Sequence, residues 1–383
     1  MSSLHSWVTA EHEAYAETVR RFLAAEFTPN RERWTRAGVI DQSFWKKAGE
    51  AGLLGASMPE IYGGSALPRS FDIVTFLEQA RFGDTGWAAL VHNIVMRYIA
   101  AFGTDAQKGR WLPPLISGEL IGAIAMTEPD AGSDLQSIRT TARHDGEHYV
   151  VNGSKTYISN GQTANLIIVV AKTAPDQRAR GISLLVLDDV DTAGFSRGRN
   201  LDKIGMWRQD TSELFFENVP VPAFNLLGGE EGQGFFQLMR ELSWERLIIG
   251  FTALGSSERA LALTLEHVRD RKAFGKRLLE LQDIRFKLAK AKTEIELLRA
   301  LLDSCLADME LGTLTTERAS MVKWWGTEMQ GRIVDDCLQM HGGLGYMAQS
   351  EIAQLYVDAR VQRIYGGANE VLMEVVARSL ERA

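Results

Sequence analysis

The sequence predicts an α+β fold in three successive parts, with a helical start, a central β region and a helical end. Three observations carry this. All nine prolines lie before residue 223, and because a proline in a helix interior costs about 3 kcal/mol, the proline-free remainder, rich in Leu, Ala, Glu, Arg and Met, reads as long bundled helices. Between about residues 121 and 230 the texture changes to short β-branched and aromatic runs. The helix–sheet–helix order lacks β-α-β alternation, which argues against a doubly wound parallel sheet.

Taken in order, Val8, Ala14, Tyr15, Val19, Phe22 and Leu23 recur at helical spacing, and a second periodic stretch runs from Phe71 through Phe82, with Pro59 and Gly63-Gly64 as punctuation. In the middle, HYVV, Asn152-Gly153 and KTYIS predict a hairpin turning on the Asn-Gly pair. LIIVVAK, GISLLVLDD and SELFFENV follow as strands. Helices resume at about residue 232, and the glycine pairs 342–343 and 366–367 mark loops between them.

Composition narrows the function. The chain has 383 residues, more than one core usually carries. Its 42 Lys and Arg stand against 49 Asp and Glu for a net charge of −7, without like-charge runs, which argues against nucleic-acid binding. The longest apolar runs, Leu166 to Ala171 and Leu247 to Ala253, are too short for a membrane span. Cys305 and Cys337 fall in predicted helices and suit a reduced cytoplasm, and the N-terminal residues carry no targeting pattern. No dinucleotide fingerprint, P-loop, zinc spacing or nucleophile elbow occurs, so no metal site is expected.

Chemistry concentrates in a few segments. The loop Met126-Thr-Glu-Pro-Asp-Ala-Gly-Ser-Asp134 offers hydroxyls and backbone N–H groups to a phosphate or a flat polar ring, unless it is only a polar turn. Strand alternation puts Tyr157 and Ser159 on one face, where they either stack on and bond a cofactor or form a half-buried sheet surface. Arg269, Arg271, Lys272, Lys276 and Arg277 are either a solvated basic helix end or a phosphate contact. Glu245, on a helix expected from about 234 to 253, has Leu238, Leu242, Ile248 and Ile249 as its face neighbours; burial among them raises a carboxylate's pKa toward general-base use. Its alternative is a salt bridge, with Arg246 or a neighbouring helix.

In this order across nearly the whole chain, MTEPDAGSD, GSKTYISNG, DKIGMW, RDRKAFGK and QMHGGLGY resemble the acyl-CoA dehydrogenase family. The resemblance implies an N-terminal helical domain (1–120), a central β domain (121–230) and a C-terminal four-helix bundle (231–383). It implies FAD bound non-covalently between the last two. Met126, Thr127 and Ser159 would contact the flavin, with Tyr157 against the ring and Ser133 on the pyrophosphate. Arg271, Phe274, Gln339 and Gly343 would reach the cofactor of a neighbouring subunit in a homo-oligomer, usually a tetramer.

Most of the family places its catalytic glutamate in a late Tyr-Glu-Gly-Thr loop, whereas this chain reads Ile364-Tyr365-Gly366-Gly367-Ala368-Asn369-Glu370. Gly366 cannot abstract a proton, but it keeps the backbone N–H that would stabilise the thioester oxygen. Glu-Leu-Ser-Trp-Glu245-Arg-Leu is similar to the isovaleryl-CoA and long-chain subfamilies, which carry the base there. The implied activity is α,β-dehydrogenation of an acyl-CoA to the 2-enoyl-CoA in fatty acid β-oxidation. Glu245 would take the α-proton while the β-hydrogen leaves as hydride to flavin N5, with Arg246 and Tyr365 on the substrate and electron-transfer flavoprotein as acceptor. Two departures stand out: Ala368 where a threonine usually meets the cofactor, and Ser243 where some relatives have aspartate. The competing readings are a same-fold flavin monooxygenase or oxidase and a catalytically silent subunit of a mixed oligomer.

Overall fold

The computed structural model describes residues 5–84 and 86–381. Six helices come first: α1 (Ala10–Phe22), α2 (Arg31–Ala37), α3 (Gln42–Glu50), α4 (Ser70–Arg81), α5 (Ala89–Phe102) and α6 (Asp105–Ile116). Helix α4 is the pivot of this part, since every residue from Ser70 to Ala80 is buried.

The central strands are β1 (Gly122–Ala125), β2 (Thr141–Asp145), β3 (His148–Ser159), β4 (Leu166–Lys172), β5 (Ile182–Leu187), β6 (Phe195–Asn200) and β7 (Thr211–Pro222). They form a seven-stranded mixed sheet in the order β1-β4-β2-β3-β7-β6, with β5 paired to β4. β4 runs parallel to β1, Gly122 opposite Leu166, and antiparallel to β5. Both read as apolar runs, broken only by the hydrogen-bonded Ser183, because every residue of β5, and every residue of β4 before Lys172, is buried.

The expected hairpin at Asn152-Gly153 does not form. β3 continues through the pair with a register shift against β7, and the turn lies earlier, at Gly146 (φ +67°), between β2 and β3. The cause is tertiary. The Asn152 amide exchanges hydrogen bonds with Asn218 on β7, at 2.8 and 3.2 Å, and a Cβ at residue 153 would overlap Thr140. The pair therefore stays in the strand, opposite a β-bulge whose extra residue lies on β7 at Glu217–Asn218, and glycine at 153 admits the close approach of Thr140.

The C-terminal part holds α7 (Gly234–Asp270), a short ribbon of β8 (Lys272–Ala273) and β9 (Lys276–Arg277), then α8 (Gln282–Glu310), α9 (Thr316–His341), α10 (Glu351–Ala359) and α11 (Asn369–Leu380). Helix α7 runs well beyond residue 253 because its apolar face stays buried through Leu261, Thr264 and Val268. No helix among the described residues is long and apolar enough to cross a membrane. Buried polar contacts fix the three parts to one another. Arg208, in the loop after β6, pairs with Asp84 at 2.6 Å, and Asp358 on α10 accepts the Met206 N–H at 2.5 Å.

Candidate active site

Helix α7 presents Glu245 to the interior, 5 % exposed, between Trp244 and Leu247. Tyr98 on α5, itself fully buried, donates its hydroxyl to Glu245 Oε1 at 2.9 Å. Burial pushes the carboxyl up to about 7, the phenol bond pulls it back, and the like charge of Glu241 one turn earlier adds to the rise. The phenol is held well above its usual range by burial and by Glu245, so the proton stays on Tyr98. The salt bridge with Arg246 does not form, and Glu245 pairs with no other cation among the described residues. Arg246 is also buried, donates to Ser320 Oγ at 3.2 Å, and leaves its Nε without a partner. An unpaired buried guanidinium beside a basic carboxylate can receive a carbonyl or an anion.

The late loop closes on the same helix. Gly366 has φ +63°, and a Cβ there would overlap Ile249 Cδ1, one turn beyond Glu245. A glutamate stem at 366 would be strained by the left-handed backbone and would have to turn the tip of Ile249 aside. The Gly366 N–H donates to no described residue. Lys323 on α9, fully buried, donates Nζ to Gly367 O at 2.7 Å and to Asn369 Oδ1 at 3.0 Å. Tyr365 is partly buried beside Gly366, and burial lifts its phenol above the ordinary range.

A second cluster lies on the sheet. Lys155 on β3 reaches Met126 O at 3.0 Å and Glu128 Oε1 at 2.8 Å, while Glu128 also accepts the N–H groups of Arg139 (2.6 Å) and Thr140 (3.0 Å). These donors hold Glu128 below the usual carboxylate range, so the pair is ionised although buried. The Thr156 N–H donates to Thr127 O at 2.9 Å. Met126 and Thr127 are thereby fixed beside Tyr157 and Ser159. The hydroxyls of Thr127 and Ser159 bond no described residue, which leaves both for a ligand's polar edge. The alternation expected across Tyr157 is interrupted. A bulge between Lys155 and Ile158 puts Tyr157 at φ +59° with its ring 70 % exposed, so it stands off the sheet rather than in a strand face. Ser133 is exposed further along the loop.

Arg271, Phe274, Gln339 and Gly343 gather at the far end of the bundle, where the rings of His267 and His341 stack at 4.4 Å and bring the ends of α7 and α9 together. An open cavity of about 340 Å³ lies there against Glu266, His267, Asp270 and Arg271. Phe274 projects 95 % exposed from the β8–β9 ribbon. No hydrogen bond or ion pair among the described residues joins this group to the Thr127–Ser159 cluster. No group of His, Cys, Asp or Glu that could hold a metal occurs among the described residues.

The sequence reading missed Tyr98, Glu128, Lys155 and Lys323. The one local signal was charge in apolar settings, since Lys155 sits in a strand and Lys323 follows Val322 and precedes two tryptophans.

Three family models match the chain: acyl-CoA dehydrogenase N-terminal domain at residues 9–119, middle domain at 123–219 and C-terminal domain at 232–381. The rat (Rattus norvegicus) long-chain specific mitochondrial acyl-CoA dehydrogenase is 46% identical over 97% of this chain and 87% of its own length. A crystal structure of an acyl-CoA dehydrogenase from Geobacillus kaustophilus superposes with a TM-score of 0.95 at 44% identity, covering 98% of this chain and all of that one. An acyl-CoA dehydrogenase complexed with FAD from Bacillus anthracis gives 0.91 at 31% identity, over 98% of this chain and 67% of that one.

Proposed function

The chain belongs to the acyl-CoA dehydrogenase family, and from that premise we propose that it removes the α-proton of an acyl-CoA with Glu245 and releases the 2-enoyl-CoA. The observation that carries the assignment is the buried Glu245, lifted to about 7 and oriented by Tyr98, beside a late loop whose glycine cannot hold a base. A carboxylate near the operating pH is ionised often enough to act and basic enough to accept a carbon-bound proton. Removing that proton puts negative charge on the thioester oxygen. The free N–H of Gly366 is a fixed donor for it, and the unpaired Arg246 is suited to the thioester or CoA end.

FAD supplies, when bound, the acceptor for the β-hydrogen and its electron pair. The uncommitted hydroxyls of Thr127 and Ser159, the Met126 backbone beside them and the projecting Tyr157 ring fit a flat, polar-edged ring system, and Ser133 is available to phosphate. Arg271, Phe274, Gln339 and Gly343 are proposed to complete a neighbouring subunit's cofactor site. A homotetramer is supported by apolar side chains left exposed on the C-terminal part, among them Phe286, Leu344, Tyr346 and Leu380. The domain division is proposed at 120/121 and 230/231, with the matched stretches 9–119, 123–219 and 232–381 each lying inside one of its parts. Electron-transfer flavoprotein is the acceptor that goes with this reading. The cytoplasm is the proposed compartment, since both cysteines are buried and unpaired.

The test is anaerobic bleaching of the flavin band by straight, branched and aromatic acyl-CoAs, comparing the wild type with Glu245→Gln. Bleaching that disappears in the variant while flavin content is retained supports the assignment. Equal reduction of both proteins removes Glu245 from the chemistry, and no bleaching of the wild type favours a silent subunit or a different flavin reaction.

A further inference from the structure

Lys323 is a fully buried cation that forms no ion pair among the described residues. It spends its donors on the late loop, on Gly367 O at 2.7 Å and on Asn369 Oδ1 at 3.0 Å, and its stem passes Gly366, with Cε 3.9 Å from where a Cβ on that residue would lie. Asn369 is in turn tied to α9 through Trp324 O, Thr327 Oγ1 and Glu328 Oε1. A loop of two left-handed glycines, φ +63° and +94°, has little conformational preference of its own. Its fixed shape must come from these bonds. Burying an ammonium is costly, and a hydrophobic residue would fill the space without that cost.

We propose that Lys323 is a positioning residue for proton removal. By gripping Gly367 it aims the Gly366 N–H at the thioester oxygen, so that the enolate charge forms against a preset donor. The inference rests on the reading of Glu245 as base and assigns a residue to the other half of the same step, the oxygen rather than the carbon. The charged groups around the ammonium are Arg246 on α7, Glu328 on α9 and Glu370 on α11. Burial and the nearby Arg246 lower its pKa to about 7, yet the neutral amine retains two donors for its two acceptors, so the grip survives titration.

The experiment uses the holoenzyme and two readouts. The first is the 13C shift of a bound 2-enoyl-CoA labelled at the thioester carbonyl, which reports polarisation of that oxygen. The second is exchange of the α-proton with D2O in a 3-thia-acyl-CoA, where sulfur replaces the β-carbon and no β-hydrogen can leave. Removing one oxyanion donor outright costs roughly 100- to 1,000-fold in other enzymes, so loosening one predicts exchange slowed about 10- to 100-fold in Lys323→Met. The carbonyl shift should fall back toward that of free thioester while ligand affinity stays near wild type. Glu245→Gln should lose exchange and keep the carbonyl shift. A wild-type carbonyl shift in folded Lys323→Met overturns the proposal. Exchange persisting in Glu245→Gln overturns the base assignment instead, and the carbonyl arm still judges Lys323. If Lys323→Met does not assemble, Lys323→Gln, whose amide keeps one donor, is measured against the same criteria.

Discussion

Replacing Tyr98 with phenylalanine removes one oxygen and tests how the base is tuned. The phenol donates 2.9 Å to Glu245 Oε1 and favours the ionised carboxylate against burial and Glu241, which both oppose it. A hydrogen bond to a charged group is worth about 1.5–3 kcal/mol, or about one to two pKa units. With the carboxyl starting at about 7, it should move to roughly 8–9, and the ionised fraction at pH 7 falls from about one half to between about a tenth and a hundredth. Single-turnover reduction by a saturating acyl-CoA at pH 7 should therefore slow about 5- to 50-fold. The acidic limb of the pH profile should shift upward by one to two units. The alkaline plateau should match or exceed that of wild type, because a more basic carboxylate removes the proton at least as fast. An acidic limb that stays in place, with the whole profile lowered evenly, would refute the reasoning and make Tyr98 a packing residue only.

Three further outcomes are expected. Glu128→Gln leaves the buried Lys155 ammonium without its anion, a break that typically costs about 3–5 kcal/mol; flavin content and melting temperature should both fall, whereas Asp130→Asn, on the exposed pair with Arg139, should change neither. His92 accepts the Gly122 N–H at Nδ1 and so donates from Nε2 to Leu115 O; burial lowers its pKa to about 4, so between about pH 6.5 and 4 only the unfolded chain takes up a proton and stability drops as pH falls, by about 3 kcal/mol in all. Asp358 and Glu245, both raised by burial, gain stability in acid and oppose it, so the measurement is the difference between wild type and His92→Gln, a gap that should narrow across this window and is refuted if constant. Gly366→Glu in the Glu245→Gln background should restore little flavin reduction, since the left-handed backbone strains a side chain there and its stem would meet the Ile249 tip; adding Ile249→Ala should raise the rate above that of the background.

The boundary between legible and illegible follows the range of the interactions. Glu245 could be found because its apolar neighbours at three- and four-residue spacing lie on its own helix, and that spacing dictates burial before any fold is known. Tyr98 could not, since it is separated from Glu245 by 147 positions and no period links two helices. The Asn152-Gly153 pair was misread for the same reason. Asn-Gly prefers a tight turn locally, but the bonds to Asn218 on β7 and the nearness of Thr140, just before β2, decide between a turn and a continued strand, and neither partner is local. Tyr157 shows the converse. Its identity was informative, but strand alternation gave the wrong geometry because a one-residue bulge precedes Ile158. Glu128 and Lys155 carried a readable anomaly, charge among strand residues, that becomes a site only when the loop folds back onto β3.

The arrangement separates two jobs. A glutamate in the late loop would put the base and the oxyanion N–H on one residue. On the proposed assignment the base sits on α7, packed on both sides by buried side chains, while the N–H stays on a glycine loop held from α9. The left-handed backbone at Gly366 makes the division hard to reverse, and the tip of Ile249 would also have to turn aside for a loop side chain. Moving the carboxylate onto a rigid buried helix has its own difficulty: the desolvation that makes Glu245 basic would, unopposed, leave it protonated and useless as a base at neutral pH. Tyr98 supplies the opposition without a full charge, where a buried cation on Glu245 would lower the carboxyl back to an unreactive range. On this argument Tyr98 and Lys323 are the residues that relocation requires, one to keep the displaced base ionisable and the other to keep the vacated loop in place.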